Sequence, residues 1–468
     1  MPLFDPADLA SWTGGKWHGP APAAAVGPLV ADTRQLRPGE VFVALRTTQR
    51  DGHDFLDAAR AKGAAAGVVE REAHEVSISQ LQVPDPATAW RTVAREHRRR
   101  FPGAVVGITG SAGKTSTKDL LREILGPTAH ATRANENNLL GVPLTLCALD
   151  PAVHRTAVIE AGISEPGEMT ALADMIRPDV AAITLVAPAH LEKLGTLEDV
   201  AREKALLARA VRPGGWAVFP ASCLAFAAFR DLPVPTVVVA PADGPAPVAK
   251  AARVFRFRAE RRPRNGWRLG LAEQGGPERS WSLPPVTPGL AANAALAVVV
   301  AQLLGVSDDR IQAGLADWRT APLRGELLRQ GDKVFLADCY NSNPASLADA
   351  LAGFAARVDP GLPRLYIVGS MAELGPDTGA LHRAALAGLR LRAGDRALLL
   401  GPQADDYRAA LLASGHADAQ ARVVELDEAR EALEHFAGAV FLKGSRAYAL
   451  ERLLPESLRE GREAHAPC

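Results

Sequence analysis

Apolar runs alternate with amphipathic segments through the middle of the chain, and this alternation indicates an α/β architecture. Three short apolar runs lie at 105–109, 158–159 and 180–186, and segments with helical spacing separate them. Strands that alternate with helices predict a parallel sheet that carries helices on both faces. We therefore expect a doubly wound unit in this part of the chain.

The pattern changes twice along the chain, and the changes predict three domains. Short strands at 41–45 and 67–70 mix with Ala-rich helices in the first block, 1–102. The second block is 103–322 and the third is 323–468, which agrees with roughly 150 residues per domain. The third block is predicted to be a second doubly wound unit, with strands at 334–337, 365–368, 397–400, 423–426 and 440–442.

One part of the second block has a different pattern. Residues 253–258 alternate polar and apolar side chains, and Asn265-Gly266 is a strong signal for a hairpin turn. We therefore expect antiparallel strands between about 235 and 285. The arginines of these strands are interpreted as solubilising.

Composition narrows the class of protein. Hydrophobic residues make up 47% of the chain, and 53 basic residues balance 53 acidic ones. This balance argues against wholesale binding of nucleic acid or of anionic membranes. The basic run 95–100 is interpreted as a solvated helix end rather than as a phosphate site.

Targeting and redox signals point to the cytoplasm. The longest apolar run, 290–304, contains Asn293 and Gln302 and is too short to span a bilayer. The N-terminal residues show no basic segment followed by an apolar one, so we expect no secretory signal. The four cysteines lack metal-ligand spacing and are expected to be reduced.

The stretch from Val105 to Lys118 is the most informative in the chain. A β-branched run enters a Gly-Lys-Thr loop, and a segment with helical spacing follows. In this context backbone N–H groups and the helix start bind phosphate, Lys114 neutralises phosphate charge and Thr115 can bind Mg²⁺. An ordinary Gly-rich turn is the alternative, and Ile108 replaces the first glycine of the usual pattern. The prediction is a nucleoside triphosphate site at Gly110, Ser111, Ala112, Gly113, Lys114, Thr115 and Ser116.

Three further residues are expected at the same sheet edge. Glu160 ends the second apolar run and His190 follows the third. In doubly wound sheets, ligands bind beyond the carboxyl ends of the strands. Lys204 lies on the apolar face of a helix that starts near Leu197, where it either extends to water or points into the site. The amide-rich segment at Asn135, Asn137 and Asn138 is either a helix cap or the lining of a polar substrate channel.

Taken together, these motifs resemble the Mur ligases of peptidoglycan synthesis. The motifs are Thr109-Gly-Ser-Ala-Gly-Lys-Thr115, Asn135-x-Asn-Asn-x-x-Gly-Val-Pro143, Glu160-x-Gly162 with Gly167-Glu168, and Ala189-His-Leu-Glu192. Further strings resemble the branch that adds D-alanyl-D-alanine: Asp32-Thr-Arg34 with Pro38-Gly39, Asp51-Gly-His-Asp-Phe55, Asp338-Cys-Tyr-Asn-Ser-Asn-Pro344, Met371-Ala-Glu-Leu-Gly375 with His382, and Lys443-Gly-Ser-Arg446.

The resemblance implies a fold and a reaction. It implies an N-terminal UDP-binding α/β domain, a central P-loop ATPase domain with a mainly parallel sheet, and a C-terminal Rossmann-like domain. The implied enzyme uses ATP and Mg²⁺ to phosphorylate the terminal carboxylate of a UDP-N-acetylmuramoyl tripeptide. The amine of D-alanyl-D-alanine then attacks the acyl phosphate and forms an amide. A cytoplasmic monomer is expected.

The resemblance also implies roles for individual residues. Thr115 and Glu160 would serve one Mg²⁺, while His190 and a carbamylated Lys204 would serve a second; Lys114 completes the catalytic set. The implied nucleotide contacts are Asn293 to adenine, Arg324 to phosphates and Asp338 to ribose. The implied substrate contacts are Thr33 and Arg34 to uridine nucleotide, and Asn341 and Asn343 to dipeptide.

Alternatives stay open at this stage. The chain departs from the family pattern at Thr47, Leu206, Gly289, Ala337 and Ser370, where the family usually carries Gly, Glu, His, Asp and Asp. A related Mur or folylpolyglutamate ligase with a different amine is one alternative, and a P-loop NTPase switch is another. The departures also motivate a non-catalytic homologue that only binds nucleotide or muropeptide.

Overall fold

The computed structural model describes residues 3–245, 252–262, 266–460 and 462. Three sheets follow one another along the chain, with five, nine and six strands among these residues. The fold is the expected mixed α/β fold in three domains. The exact boundaries at 102 and 322 stay predictions.

The N-terminal sheet is mainly parallel. The elements of this domain are α1 (Pro6–Thr13), β1 (Lys16–His18), β2 (Leu29–Val30), β3 (Val41–Val43), α2 (Leu56–Ala61), β4 (Ala66–Val69), β5 (Gln80–Gln82) and α3 (Pro86–Arg100). The strand order is β1-β5-β4-β3-β2, and β1 is the antiparallel edge strand.

Helix α3 joins the first domain to the second through a buried arginine. Arg98 is only 1% exposed, and its guanidinium donates to the carbonyls of Ile176 and Arg177 and to Asp179. The interpretation of 95–100 as a solvated helix end is therefore wrong for Arg98. The sequence pattern could not reveal this, because the acceptors lie about 80 residues further along the chain.

The central sheet has a parallel core. In the order β14-β13-β12-β11-β10-β9-β6-β8-β7, the strands from β12 to β7 pair in parallel. Its first elements are β6 (Ala104–Thr109), α4 (Lys114–Leu125), β7 (Ala129–Ala131), α5 (Gly141–Cys147), β8 (Thr156–Glu160), α6 (Glu168–Ile176), β9 (Val180–Ile183), α7 (Leu191–Leu194), α8 (Leu197–Arg209), β10 (Trp216–Pro220), α9 (Ala227–Arg230) and β11 (Thr236–Pro241).

An antiparallel extension completes the central sheet. Strands β12 (Arg253–Arg261), β13 (Trp267–Glu273) and β14 (Glu278–Leu283) pair in antiparallel fashion, as expected. The expectation is wrong for β11, which lies in the same stretch and pairs in parallel with β12. Gly266 lies in the predicted turn, whereas Asn265 lies outside the described residues. Helix α10 (Pro288–Leu303) then crosses the sheet and packs into its core, and α11 (Asp308–Asp317) follows.

The third sheet is parallel except at one edge. Its order is β15-β16-β20-β17-β18-β19, with β15 antiparallel to β16. The elements are β15 (Glu326–Gln330), β16 (Lys333–Ala337), α12 (Pro344–Arg357), β17 (Arg364–Gly369), α13 (Thr378–Leu386), β18 (Arg396–Leu400), α14 (Ala404–Ala413), β19 (Ala421–Val423), α15 (Leu426–Glu434), β20 (Gly438–Lys443) and α16 (Glu456–Arg459).

Two predicted strands differ from those observed, and one edge strand was not predicted. Strand β9 ends at Ile183 rather than at 186, and a loop carries the chain to His190. The predicted strand at 423–426 is β19, which ends at Val423, while Leu426 already belongs to α15. The edge strand β15 was not predicted, because its alternation of polar and apolar residues is short. Within the described residues, no helix combines the length and apolar character needed to cross a membrane.

Candidate active site

A cavity of about 1170 Å³ is lined by residues of all three domains. It collects most of the residues singled out in the sequence. Gly110 and Lys204 are the predicted site residues that do not line it. The predicted residues in its wall are Thr33, Arg34, Ser111, Ala112, Gly113, Lys114, Thr115, Ser116, Asn135, Asn137, Asn138, Glu160, His190, Asn293, Arg324, Asp338, Asn341 and Asn343.

The phosphate loop is fixed by hydrogen bonds to the segment that follows β9. The Ser111 amide donates to the Leu185 carbonyl at 2.8 Å, and its hydroxyl donates to the Ala187 carbonyl at 2.7 Å. Thr184 Oγ1 donates to the Ala112 carbonyl at 2.5 Å. The loop is therefore held in shape before any ligand arrives.

Gly113 is required at the start of α4 for two reasons. Its φ of 82° lies in the left-handed region, which side chains disfavour. A Cβ at this position would also lie 2.4 Å from Nδ2 of Asn293, so the loop and α10 touch here. Gly113 offers no side-chain cap, and the first amides of α4 are left for a ligand.

Lys114 folds back over the phosphate loop. Its Nζ donates to the Gly110 carbonyl at 2.9 Å. Burial lowers the pKa of Lys114, the Glu160 carboxylate works in the opposite direction, and Arg324 lowers the pKa further. Lys114 and Arg324 thus form a positively charged wall, which suits a polyanionic ligand.

Glu160 presents an unsatisfied carboxylate oxygen at the end of β8. Its Oε1 accepts from Nδ2 of Asn137 at 2.7 Å and from the Thr115 hydroxyl at 3.2 Å. Its Oε2 is buried and has no hydrogen-bond partner among the described residues. A buried, unpaired carboxylate oxygen is unfavourable unless a ligand satisfies it. Together with the Thr115 hydroxyl, it supplies the hard oxygen donors that Mg²⁺ prefers.

His190 lies at a strained position that joins the second domain to the third. Its φ is 54°, and it precedes the short helix α7. Its Nδ1 pairs with the carboxylate of Glu373, which follows β17 in the third domain. Burial lowers the pKa of His190, although Glu373 acts to raise it.

Lys204 lies inside α8 and is only 3% exposed. Its buried position excludes the alternative that this lysine extends to water. Its ammonium has no hydrogen-bond or ion-pair partner within the described chain. Burial, reinforced by the charge of Lys114, lowers the pKa of Lys204 to about 7. A large fraction of the neutral amine is therefore present at physiological pH.

The third domain reaches the phosphate loop through the start of α12. The Asn343 side chain caps this helix by accepting from the Ser346 amide at 2.9 Å. Its Nδ2 donates to the Ser111 carbonyl at 3.0 Å. Asn343 therefore lines the cavity while its amide already has protein partners, and its predicted role toward the dipeptide stays a prediction.

Asp338 and Asn341 adjoin a buried lysine. Lys443 is 1% exposed, its Nζ lies 3.1 Å from Oδ2 of Asp338, and it donates to the Asn341 carbonyl at 2.8 Å. Burial raises the pKa of Asp338, while Lys443 works in the opposite direction. Arg324 stacks on the ring of Tyr340, with 4.0 Å between guanidinium carbon and ring centre.

Asp349 is a residue of this cavity that the sequence analysis missed. It lies on α12 and accepts from the Gly289 amide at 2.6 Å and from the Thr287 hydroxyl at 2.5 Å. A Cβ at Gly289 would lie 2.7 Å from Asp349 Oδ2, so this carboxylate fills the space beside Gly289. The departure from the family pattern at Gly289 thus has a local explanation. No sequence signal marks Asp349, because its partners belong to another domain.

The N-terminal domain contributes an exposed corner. The guanidinium of Arg34 pairs with Asp32 at 2.8 Å. Lys62 donates to the Thr33 carbonyl at 2.8 Å. This exposed corner therefore combines the cations of Arg34 and Lys62 with the carboxylate of Asp32.

Comparisons with known proteins agree with this arrangement. Residues 29–105 match the "Mur ligase family, catalytic domain", 108–256 the "Mur ligase middle domain" and 323–446 the "Mur ligase, glutamate ligase domain". The UDP-N-acetylmuramoyl-tripeptide–D-alanyl-D-alanine ligase of Escherichia coli is 31% identical over 91% of this chain and 92% of its own length. The chain belongs to the Mur ligase family.

Solved Mur ligases share the fold along nearly the whole chain. A crystal structure of MurF from Acinetobacter baumannii is 27% identical, covers 98% of this chain and 100% of its own, and has a TM-score of 0.82. The ADP complex of MurF from Thermotoga maritima is 24% identical, covers 93% and 98% of the two chains, and has a TM-score of 0.76. The three-domain Mur ligase fold is thus shared at low identity.

Proposed function

We propose that this Mur ligase joins D-alanyl-D-alanine to UDP-N-acetylmuramoyl tripeptide with the hydrolysis of ATP, in peptidoglycan precursor synthesis. The observation that carries the proposal is one cavity that combines an uncapped phosphate loop with walls from the first and third domains. A ligase needs this arrangement, because a nucleotide, an acceptor and an amine must meet at one place. The relatives named for this reaction match nearly the whole chain.

The reaction needs positioning more than it needs a strong base. A carboxylate oxygen of the tripeptide attacks the γ-phosphorus of ATP, the bond to the ADP oxygen breaks, and an acyl phosphate forms. The amine nitrogen of D-alanyl-D-alanine then attacks the carbonyl carbon. Phosphate leaves with the C–O electron pair, and the amine proton passes to solvent. In this scheme Lys114, Arg324 and the first amides of α4 stabilise the charge on the transferred phosphoryl group.

Mg²⁺ fits the donors present at this site. Thr115 and Glu160 would hold one ion, because Glu160 Oε2 is buried and has no partner in the part of the chain that the structure describes. Bound Mg²⁺ would neutralise phosphate charge during transfer. His190 and Lys204 would hold a second ion once the Lys204 amine has attacked carbon dioxide and lost a proton, which converts it into an oxygen donor. The low pKa of about 7 supports this step, because the neutral amine is the nucleophile.

Residues of the cavity wall are assigned to the nucleotide and to the two substrates. We assign Asn293 to adenine, Asp338 to ribose, and Thr33 with Arg34 to the uridine diphosphate. Asn135 and Asn138 would line the path of the tripeptide, and Asn341 the dipeptide. A monomer suffices, because one chain supplies all three walls. We place the enzyme in the cytoplasm, where its nucleotide substrates are available.

ADP release tests the proposal most directly. The protein is incubated with ATP, Mg²⁺ and UDP-muramoyl tripeptide, with and without D-alanyl-D-alanine. We expect turnover only when both substrates are present, since the acyl phosphate is protected from water. Diaminopimelate, lysine or glutamate in place of the dipeptide distinguishes the related ligases. Rapid ATP hydrolysis without either substrate would favour an NTPase switch, and no hydrolysis under any condition would favour a binding protein.

A further inference from the structure

The contact between His190 and Glu373 joins two domains at the edge of the active-site cavity. His190 lines the cavity, and Glu373 lies beyond the carboxyl end of β17. A second contact reinforces the first, because the Glu192 amide donates to the Glu373 carbonyl at 3.3 Å. Gly375 packs directly against Leu191 and Glu192. The segment after β17 therefore docks on the loop that carries the histidine.

Both residues hold an uncommon backbone conformation. His190 has φ 54° and Glu373 has φ 60°, each in the left-handed region. Such conformations in non-glycine residues are unfavourable and persist where the surrounding structure imposes them. Here they direct two side chains from different domains toward each other. Exposure is moderate, with 28% for the imidazole and 46% for the carboxylate, so the contact forms at an accessible domain border.

The carboxylate determines which ring nitrogen of His190 carries the proton. The Glu373 carboxylate accepts at Nδ1, which fixes the proton there and leaves the Nε2 lone pair available. Nε2 has no hydrogen-bond partner among the described residues. A histidine that binds a metal commonly donates its other N–H to a carboxylate, which orients the ring.

We propose that Glu373 is a positioning residue that holds His190 with Nε2 free for a ligand, and that it does so only while the third domain is docked. Docking of the third domain would then orient the His190 ring in the same step. The ligand role of Nε2 rests on the proposed function, whereas the orientation of the ring does not. Two further contacts hold the same domain border, from Asn343 to Ser111 and from Asp349 to Gly289.

The protonation of His190 in the enzyme without ligands tests the proposal. The chain has 11 histidines, so ¹⁵N-histidine labelling and a His190→Asn variant together identify the signal. At pH 8 we expect the Nδ1–H tautomer in the wild-type enzyme. In Glu373→Ala the ring should shift toward the Nε2–H tautomer, and Glu373→Gln should retain the wild-type form, because the amide oxygen still accepts. An unchanged tautomer in Glu373→Ala would overturn the proposal.

Matched variants separate positioning from a general structural effect. Glu165 pairs with Lys193 on the neighbouring surface, and Glu165→Gln should leave the His190 signal unchanged. Asp349→Ala removes a docking contact that does not touch His190, and it should move part of the His190 population to the Nε2–H form. A wild-type spectrum in Asp349→Ala would contradict the coupling to docking.

Activity gives an independent second measurement. Loss of a carboxylate that orients a metal-binding histidine typically costs about 10–100-fold in affinity or activity. We expect a loss of this size in kcat for Glu373→Ala, with substantial recovery in Glu373→Gln. The tautomer measurement needs no turnover, so a failure of the proposed ligase reaction leaves it intact. Wild-type kcat in Glu373→Ala would contradict the positioning role.

Discussion

Helices α4 and α12 both start at the cavity, and each follows a buried strand of a parallel sheet. Helix α4 follows β6 and begins after Gly113, which provides no side-chain cap. Helix α12 follows β16 and begins after Asn343, whose side chain accepts from the Ser346 amide, with Pro344 in the first turn. The first helix start is open and the second is closed by its own sequence.

Two buried lysines show the same contrast. Lys443 has Asp338 and the Asn341 carbonyl as partners, whereas Lys204 has no partner within the described residues. Glu160, at the carboxyl end of β8 in the central sheet, adds a carboxylate oxygen that has no partner among the described residues. Incomplete hydrogen bonding in a folded protein is unfavourable, and it persists where ligands complete it. Among the described residues, the groups without partners at the central sheet include a carboxylate oxygen and an ammonium, whereas the group without a partner just before α12 is the neutral hydroxyl of Ser342. A buried ionic group without a partner is less favourable than a buried neutral one, so we expect ligands to act mainly at the central sheet.

Removal of Lys114 should have the largest effect. In Lys114→Ala the open helix start loses the cation that stabilises charge in the transition state, so we expect about a 10²–10³-fold fall in kcat. Steady-state ADP release measures it. Arg122→Ala serves as the control, because Arg122 is an exposed cation of the same helix and, among the described residues, pairs only with Glu123. Near-normal turnover in a folded Lys114→Ala variant would remove the phosphate-loop assignment.

Lys204→Ala tests whether the Lys204 amine is carbamylated and binds a metal ion. If it is a carbamylated ligand, its loss should reduce turnover by at least about 10–100-fold, which is the cost of losing a residue that orients a metal ligand. Acetate or formate should restore part of the activity by filling the vacated space. A titration with short carboxylates measures the rescue. Near-wild-type turnover without any carboxylate would exclude the metal-ligand role.

The unpaired lysine should also make stability depend on pH. The folded protein binds the Lys204 proton more weakly than the unfolded chain does. The contribution of Lys204 to the free energy of unfolding therefore rises with pH between pH 7 and 10.5. The expected rise is about 2 kcal/mol from pH ~7 to ~9. Lys204→Met should lack this rise and be more stable than wild type at pH ~7. Urea unfolding in CO₂-free buffers measures the slope.

Lys443→Met is the matched control for this pH dependence. It removes an ammonium whose partners are present, so it should lower the stability between pH ~7 and ~9, where Asp338 would be left as an unpaired carboxylate. If Lys204→Met and Lys443→Met changed the free energy of unfolding equally at each pH, the contrast between the two lysines would be contradicted.

Asn343 should show the smallest effect. Asn343→Ala removes the cap of α12 and should lower the free energy of unfolding by about 1 kcal/mol. Asn343→Asp keeps the cap but cannot donate to the Ser111 carbonyl, and it places a negative charge beside the phosphate loop. We expect a retained helix cap, a loss of stability from the missing bond to Ser111, and a raised KM for ATP in this second variant. Thermal unfolding measures stability, and ADP release measures the KM for ATP. An unchanged KM would show that the start of α12 does not contribute to nucleotide binding.

Particular residues show how far sequence reasoning reaches. The phosphate loop, Glu160 and the apolar face that buries Lys204 follow from local order, because strand, loop and helix signals lie within a few residues of one another. Asp349 and Glu373 escaped a functional prediction, since their partners are some 60 and 183 residues away along the chain. Arg98 was misinterpreted for the same reason.

The sequence by itself determined the open start of α4, because glycine at position 113 allows the turn and supplies no cap. It likewise determined the closed start of α12 through Asn343-Pro344, and the alternation of strands and helices that makes the parallel parts of the second and third sheets. Only the tertiary structure decided that Lys204 has no partner among the described residues, that Glu373 contacts His190, and that Asp349 fills the space beside Gly289. Local hydrogen bonds depend on neighbouring residues, whereas burial and contacts between domains depend on where distant segments pack.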